Sequence, residues 1–205
     1  MFIDHPGLGW HNFDHPGLDR GGVSAALNMF YLGALQSWAG LLSDIGEHER
    51  GLDFRNQAED LRERIHATFF ADAREVYADA INDGELSAQI SQQTNALAVL
   101  TGVCPPERRR EVLERVLQDD SELCRCSPYF WVYMFEAMAS AGMHAEMLDV
   151  IRDLLGPMLD AGATTWWECF GGDDRDSLCH AWSCAPNYML MRHMLGIGPA
   201  APGFA

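Results

Sequence analysis

The sequence predicts an all-α fold in which apolar helices alternate with amphipathic ones, the pattern of a partial α/α toroid. Three observations lead there. From residue 24 onward, apolar residues recur at helical spacing. The helical stretches come in two kinds, one almost free of charge and one charged on all but a single stripe, and the two kinds take turns along the chain. No segment alternates apolar and polar residues long enough to compete as a sheet. A ring of helical hairpins needs this alternation, because an inner helix touches neighbours on both sides whereas an outer helix buries one stripe.

Residues 1–22 form a glycine- and proline-rich loop. In it Asp4-His5-Pro6-Gly7-Leu8 recurs as Asp14-His15-Pro16-Gly17-Leu18, most simply two successive Pro-Gly turns. The helical portion is then expected over 23–205. Residues 24–45 open on Ser24 as N-cap and carry a broad apolar face (Leu27, Phe30, Tyr31, Leu35, Trp38, Leu41, Leu42, Ile45), so this helix is expected inside. Residues 50–70 show one stripe, Ala58, Leu61, Ile65 and Phe69, amid arginines and acids, and are expected outside. The same contrast continues with 88–101 inside and 105–118, begun by Pro105-Pro106, outside. It continues again with 128–142 inside, where only Glu136 is charged, and 144–161 outside, with Asp149, Arg152 and Asp153 facing water. A final apolar helix over 182–195, expected inside, completes about seven, a little over half of the twelve that an (α/α)6 six-hairpin toroid contains. Between helices, Glu75-Val76-Tyr77 is expected as a short extended piece followed by a turn at Asn82-Asp83-Gly84.

The composition narrows the function. The 205 residues are 48% hydrophobic, enough to bury a sizeable core. Thirty acids stand against 14 cations, all of them arginine, and the net charge of −16 would repel nucleic-acid phosphates and anionic lipid surfaces. Nucleic acid and membrane are therefore excluded as partners, and a neutral ligand fits better. The most apolar run, Phe130 to Ala141, contains Glu136 and is too short to cross a bilayer. Met1-Phe2-Ile3-Asp4-His5-Pro6 has no basic start and leads into no apolar stretch of signal length, so the six cysteines are expected to be reduced, mostly buried thiols of a cytoplasmic protein.

Candidate chemistry concentrates in residues 163–186. Thr165-Trp166-Trp167-Glu168 places one carboxylate between aromatic and apolar neighbours just after a helix end at Gly162, an unusual place to leave a charge. Tryptophan faces stack on the C–H surfaces of sugar rings, and a carboxylate beside them can take a proton from water attacking an anomeric carbon. The alternative is a glutamate that caps or bridges helices, with the tryptophans as core. Twelve residues on, within Ser177-Leu178-Cys179-His180-Ala181-Trp182-Ser183, stands His180. The intervening Gly171-Gly172 lets the chain fold back and bring the two together.

These segments resemble the inverting α-L-rhamnosidase family of glycoside hydrolases. Thr165-Trp166-Trp167-Glu168 with Ser177-Leu178-Cys179-His180-Ala181-Trp182-Ser183 is similar to that family's paired signature, and Phe2-Ile3-Asp4-His5-Pro6 to its Phe-Ile-Asp-Trp-Pro segment, with His5 in place of tryptophan. Ser127-Pro128-Tyr129-Phe130 with Glu136-Ala137 and Ala141-Gly142, and the close from Leu195-Gly196-Ile197 to Pro202-Gly203-Phe204, are similar too. The resemblance spans nearly the whole chain. It implies removal of terminal α-L-rhamnose with inversion, Glu168 as general base, and His180 as a ligand of the sugar hydroxyls. The candidate sugar-binding set is His180, Trp166, Trp167, Trp182, Trp10 and Asp4. The family's general acid and several acidic sugar ligands fall in a segment expected to precede residue 1, so the isolated chain is expected to be inactive. It would then be a carbohydrate-binding or assembly fragment, associating with itself or with an N-terminal half of the same enzyme.

No cofactor or metal is expected. Cys169, Cys179, His180 and Cys184 match no standard zinc spacing. Cys124-Arg125-Cys126 lacks the two-residue spacer of redox motifs and is expected to hold one buried and one partly exposed thiol. His5, His11 and His15 sit in a loop with solvated acids, and Asp173-Asp174-Arg175-Asp176 is most simply a solvated turn. Gly7-Leu8-Gly9 lacks the third glycine and the helix of a dinucleotide loop, and no Gly-x-Ser-x-Gly elbow occurs.

Overall fold

A computed structural model of the chain describes residues 18–19, 21–118, 123–171 and 176–201. The chain divides into two compact units, Met1–Arg125 and Cys126–Ala205. Among the described residues there are seven α-helices and only short strands, so the all-α class holds.

In the first unit, helix α1 (Ala25–Asp44) starts where the Ser24 hydroxyl accepts the Leu27 amide at 3.3 Å, the cap expected from the sequence. Helix α2 (His48–Phe69) returns along it and buries Ala58, Leu61, Ile65 and Phe69, the stripe expected from the sequence. The two helices meet closely at Gly51, where a Cβ would lie 2.8 Å from the Ser43 hydroxyl and 3.1 Å from the Ala39 carbonyl. Helix α1 departs from expectation on its other side. Leu32, Leu35, Ala39 and Leu42 are buried against the unit, but Trp38, Leu41 and Ile45 are 45%, 48% and 65% exposed. The broad apolar face is thus two stripes, and α2 and the following inner helix cover one of them.

Three small sheets join the helices. Strand β1 (Val23–Ser24) pairs antiparallel with β4 (Ala80–Asn82), which turns through Asp83 and Gly84 into β5 (Glu85–Leu86). Strand β2 (Phe70–Ala71) pairs with β3 (Val76–Tyr77), the extended piece expected there. Strand β6 (Ile90–Ser91) runs parallel to β7 (Leu123–Cys124). Because Ser91 belongs to β6 and caps the next helix, α3 spans only Gln92–Leu100, shorter than the expected 88–101. It is buried along its length up to Val99, polar residues included. Asn95 explains how: its amide accepts from the Tyr77 N–H at 2.8 Å and donates to the Tyr77 carbonyl at 3.0 Å, completing the free edge of β3 as a strand would. Helix α4 (Arg109–Leu117) follows a short 3₁₀ turn and buries Val112, Leu113 and Val116, leaving its charges outside as expected.

In the second unit, α5 (Trp131–Ser140) buries Trp131, Met134, Phe135, Ala137 and Met138. Helix α6 (His144–Asp160) buries Met147, Ile151, Leu155 and Met158 and exposes Asp149, Arg152 and Asp153. The apolar helix expected inside over 182–195 is broken, and its Trp182, Tyr188, Met191 and Leu195 are exposed instead of covered. A 3₁₀ turn at Ala181–Ser183 leads into α7 (Ala185–Met189), which widens into a π-turn over Leu190–Met194. Pro186 explains the late start, since its ring is tolerated in a helix's first turn but not inside it. Among the described residues no helix is long and apolar enough to cross a membrane.

The cysteines correct two expectations. Cys124 and Cys126 are both buried, at 6% and 4% exposure, instead of one buried and one partly exposed, because Cys124 is tied into β7. Cys104 is buried as well, but Cys169 is half-buried and Cys179 and Cys184 are exposed, so only half of the thiols lie in the core.

Candidate active site

The site lies within the second unit, in the loop from the end of α6 to the start of α7. Residues 165–168 and 177–180 run back along one another as a ribbon. The Glu168 amide donates to the Ser177 carbonyl at 2.8 Å and the His180 amide to the Trp166 carbonyl at 2.9 Å. The Thr165 hydroxyl donates to the Leu178 carbonyl at 2.5 Å. Residues 172–175, on which the expected Gly171-Gly172 fold-back and the expected solvated turn at Asp173-Asp174-Arg175-Asp176 fall, lie outside the described residues.

This pairing closes the 12-residue gap between the two leading candidates. Glu168 Oε2 accepts the Ser177 backbone N–H at 3.1 Å, and His180 Nδ1 stands 3.7 Å from the same oxygen. A backbone donor on a carboxylate oxygen fixes the group's rotamer more firmly than a mobile side chain would. Both side chains keep about a third of their surface open, 32% for Glu168 and 30% for His180. The His180 ring packs on Trp182, centroids 4.3 Å apart, and Trp182 in turn lies 5.3 Å from Tyr129. Trp166 is held by a hydrogen bond from its indole N–H to Asn187 Oδ1 at 3.1 Å.

Two clefts flank the ribbon. One, of about 510 Å³, is lined by Trp166, His180 and Asn187 together with Thr164, Cys179 and Cys184. The other, of about 520 Å³, is walled by Trp167, Ser177 and Leu178 and shares Ala163, Thr164, Thr165 and Cys179 with the first. Adjacent residues of an extended segment point to opposite sides, which is why Trp166 and Trp167 enter different clefts. Glu168 and Trp182 line neither; Glu168 stands beside the first cleft through His180, and Trp182 backs the His180 ring. Trp10 and Asp4 lie outside the described residues. Sequence reasoning did not single out Asn187 or the Ser177 amide. The first carries no local signal, and the second was legible only as part of the paired signature.

The first unit holds a buried polar knot that the sequence did not announce. Asp79 Oδ1 accepts the hydroxyls of Ser91 (2.6 Å) and Thr94 (2.7 Å), and its Oδ2 lies 3.4 Å from the Asp19 amide. Burial raises Asp79 to about 7, against the pull of those hydrogen bonds. Burial also disfavours the Asp19 carboxylate. There, hydrogen bonds from Ser87, the Gly21 amide and Asn82 outweigh it and hold the group below the usual carboxylate range. Among the described residues no three His, Cys, Asp or Glu side chains come together to hold a metal.

The predominantly helical fold fits the class of six-hairpin glycosidases. The chain belongs to the bacterial alpha-L-rhamnosidase six-hairpin glycosidase domain family, whose profile matches residues 9–194. It is similar to the crystal structure of the GH78 family rhamnosidase of Bacillus sp. GL1, with 33% identity and a TM-score of 0.84 over 98% of this chain and 23% of that one. It shares its fold with the rhamnosidase from Klebsiella oxytoca with rhamnose bound, at 24% identity and a TM-score of 0.71 over 84% of this chain and 34% of that one. The chain thus spans about a quarter and a third of those two structures. Among curated proteins none matches it.

Proposed function

We propose that this chain supplies the general-base side of an α-L-rhamnosidase active site that cleaves terminal α-L-rhamnosides with inversion. The observation that carries the reading is the fixed Glu168 carboxylate, anchored by the Ser177 amide and set beside His180 at the edge of a tryptophan-lined cleft. In this reading the rhamnose ring lies against Trp166, and His180 donates to a ring hydroxyl. Glu168 takes a proton from a water molecule as that water attacks the anomeric carbon from the face opposite the leaving group. A second carboxyl group, roughly 6.5–9.5 Å away, protonates the departing glycosidic oxygen. The products are free rhamnose of inverted anomeric configuration and the alcohol it was attached to.

A second reading rests on a specific observation: among the described residues, neither cleft has an aspartate or glutamate in its wall. By itself the chain is then a carbohydrate-binding or assembly fragment, and the acid comes from elsewhere in the enzyme. Behaviour of the isolated chain does not separate the readings; turnover of the complete enzyme does. Binding of L-rhamnose by the isolated chain is expected under both, whereas hydrolysis of an aryl α-L-rhamnoside by the isolated chain is expected under neither. Turnover by a complete enzyme that falls on Glu168→Gln, with folding intact, supports the catalytic role; unchanged turnover rejects it.

A further inference from the structure

Two buried polar groups of the second unit have no hydrogen-bond partner among the described residues. They are the indole N–H of Trp131, in the first turn of α5, and the hydroxyl of Ser183, which ends the 3₁₀ turn after His180. Both residues are almost wholly buried, at 5% and 1% exposure. Leaving such a donor or hydroxyl unpaired away from solvent is costly, so native structures nearly always supply a partner. The two residues line the same small cavity, of about 10 Å³, whose remaining wall is apolar and includes Phe135, Leu155, Phe170 and Pro186. That volume is close to the ~10 Å³ that a single water molecule needs, and it leaves room for nothing larger. Among the described residues no charged side chain stands in the wall, so an ion would find no counter-charge. The two groups suit water: an indole N–H can only donate, whereas a hydroxyl also accepts, so a water between them accepts from Trp131 and donates to Ser183. Buried waters are held by about two to four polar groups, and here two are in place.

We infer that this cavity binds one water molecule that bridges Trp131 Nε1 and Ser183 Oγ, and that through this bridge the two residues position His180. The link to the site is short. The Ser183 amide donates to the His180 carbonyl at 3.1 Å, and the neighbouring Trp182 packs on the His180 ring. Tying Ser183 to α5 therefore ties down the turn that carries the imidazole. Neither Trp131 nor Ser183 lines the Trp166 cleft, so both act through His180 as positioning residues. The water site stands on burial and cavity alone; the positioning role rests on the reading of His180 as a sugar ligand.

Crystals of this chain diffracting well enough to show ordered water test the site directly. One water is expected at about 2.7–3.2 Å from both Trp131 Nε1 and Ser183 Oγ. A direct Trp131–Ser183 hydrogen bond, or a cavity without water, overturns the bridge. In solution, Ser183→Ala and Trp131→Phe each remove one anchor and are expected to raise the unfolding equilibrium constant about tenfold. The double variant leaves no unpaired group in the cavity, so its constant is expected to rise about tenfold in total and not a hundredfold. Effects that multiply show that the two groups share no ligand, and overturn the bridge as well. The positioning role is read from the affinity of the folded chain for L-rhamnose, which each single variant is expected to weaken about three- to tenfold. A merely structural role would lower the melting temperature and leave that affinity untouched. Unchanged affinity in both variants, where His180→Ala weakens binding, overturns the positioning role while the rhamnose site stands. If His180→Ala is silent too, the reading of His180 as a sugar ligand fails and the positioning role falls with it, while the diffraction and the unfolding constants still decide the water bridge.

Discussion

The Nδ1 nitrogen of His180 stands 3.7 Å from Glu168 Oε2, the oxygen that also accepts the Ser177 amide. Both described contacts of the carboxylate therefore fall on one of its oxygens, and the ribbon pairing between 165–168 and 177–180 brings them there. At that distance the imidazole lies beyond hydrogen-bonding reach, so it is the backbone amide that anchors the carboxylate.

Under the proposed role, replacing Glu168 with glutamine keeps the side chain's shape and its ability to accept the Ser177 amide but removes the general base. General-base removal costs about 10²–10⁴-fold in turnover. The expected result is that loss in the rate on an aryl α-L-rhamnoside for the enzyme that carries this chain, with a melting temperature close to the parent's. A fall in melting temperature with full turnover per folded molecule would assign Glu168 a structural role instead.

His180→Ala is expected to act mainly on sugar binding, because the ring lines the Trp166 cleft and packs on Trp182. Rhamnose affinity measured by titration should fall by about tenfold, the order of one lost hydrogen bond to a neutral ligand. A loss confined to turnover, with affinity intact, would mean that the ring serves Glu168 alone.

The sequence disclosed the α2 stripe, the capping Ser24, the outer faces of α4 and α6, and the ribbon partners Glu168 and His180. In each case one local signal sufficed: helical period, cap chemistry, or two short motifs close in sequence. It disclosed less where the outcome depends on what packs against an element. The apolar residues of α1 divide into a covered and an exposed stripe, and nothing in their spacing says which neighbour is present. The break at 182–195 follows from Pro186 and was legible; the π-turn over Leu190–Met194 has no local signature. Asp79 sits in an ordinary-looking stretch, and its burial arises only when Asp19, Ser91 and Thr94 converge from 60, 12 and 15 residues away.

Thiol labelling should separate the cysteines by burial. Cys104 is fully buried, and burial pushes its thiol up to about 11, so almost none of it is thiolate near neutral pH. Cys179 and Cys184 are exposed in the wall of the Trp166 cleft. With a maleimide on the native chain, those two are expected to label first and Cys104 only on unfolding, with L-rhamnose slowing the fast pair. Rapid labelling of Cys104 in the native chain would contradict the packing around α3.

Asp79 gives the first unit a distinctive pH dependence. Its carboxyl is raised to about 7 by burial, whereas in the unfolded chain it titrates near the ordinary value of about 4. Between those limits the folded state holds a proton that the unfolded state has released, so stability falls as pH rises from about 4 through 7. The facing carboxylate, Asp19, is shifted the other way; its contribution is present above about 4 and is lost only as pH drops below that, outside this window. Asp79→Asn keeps an acceptor for the Ser91 and Thr94 hydroxyls and cannot ionise. The melting temperature of the parent is therefore expected to decline between pH 5 and pH 8, the variant's to stay flatter, and the two curves to draw apart on the alkaline side with Asp79→Asn the more stable. The other carboxylates contribute equally to both chains, so the difference between the curves isolates Asp79. Parallel curves over that range would show that Asp79 is ionised in the folded state throughout, stabilised by its hydroxyl and amide donors more strongly than burial opposes it.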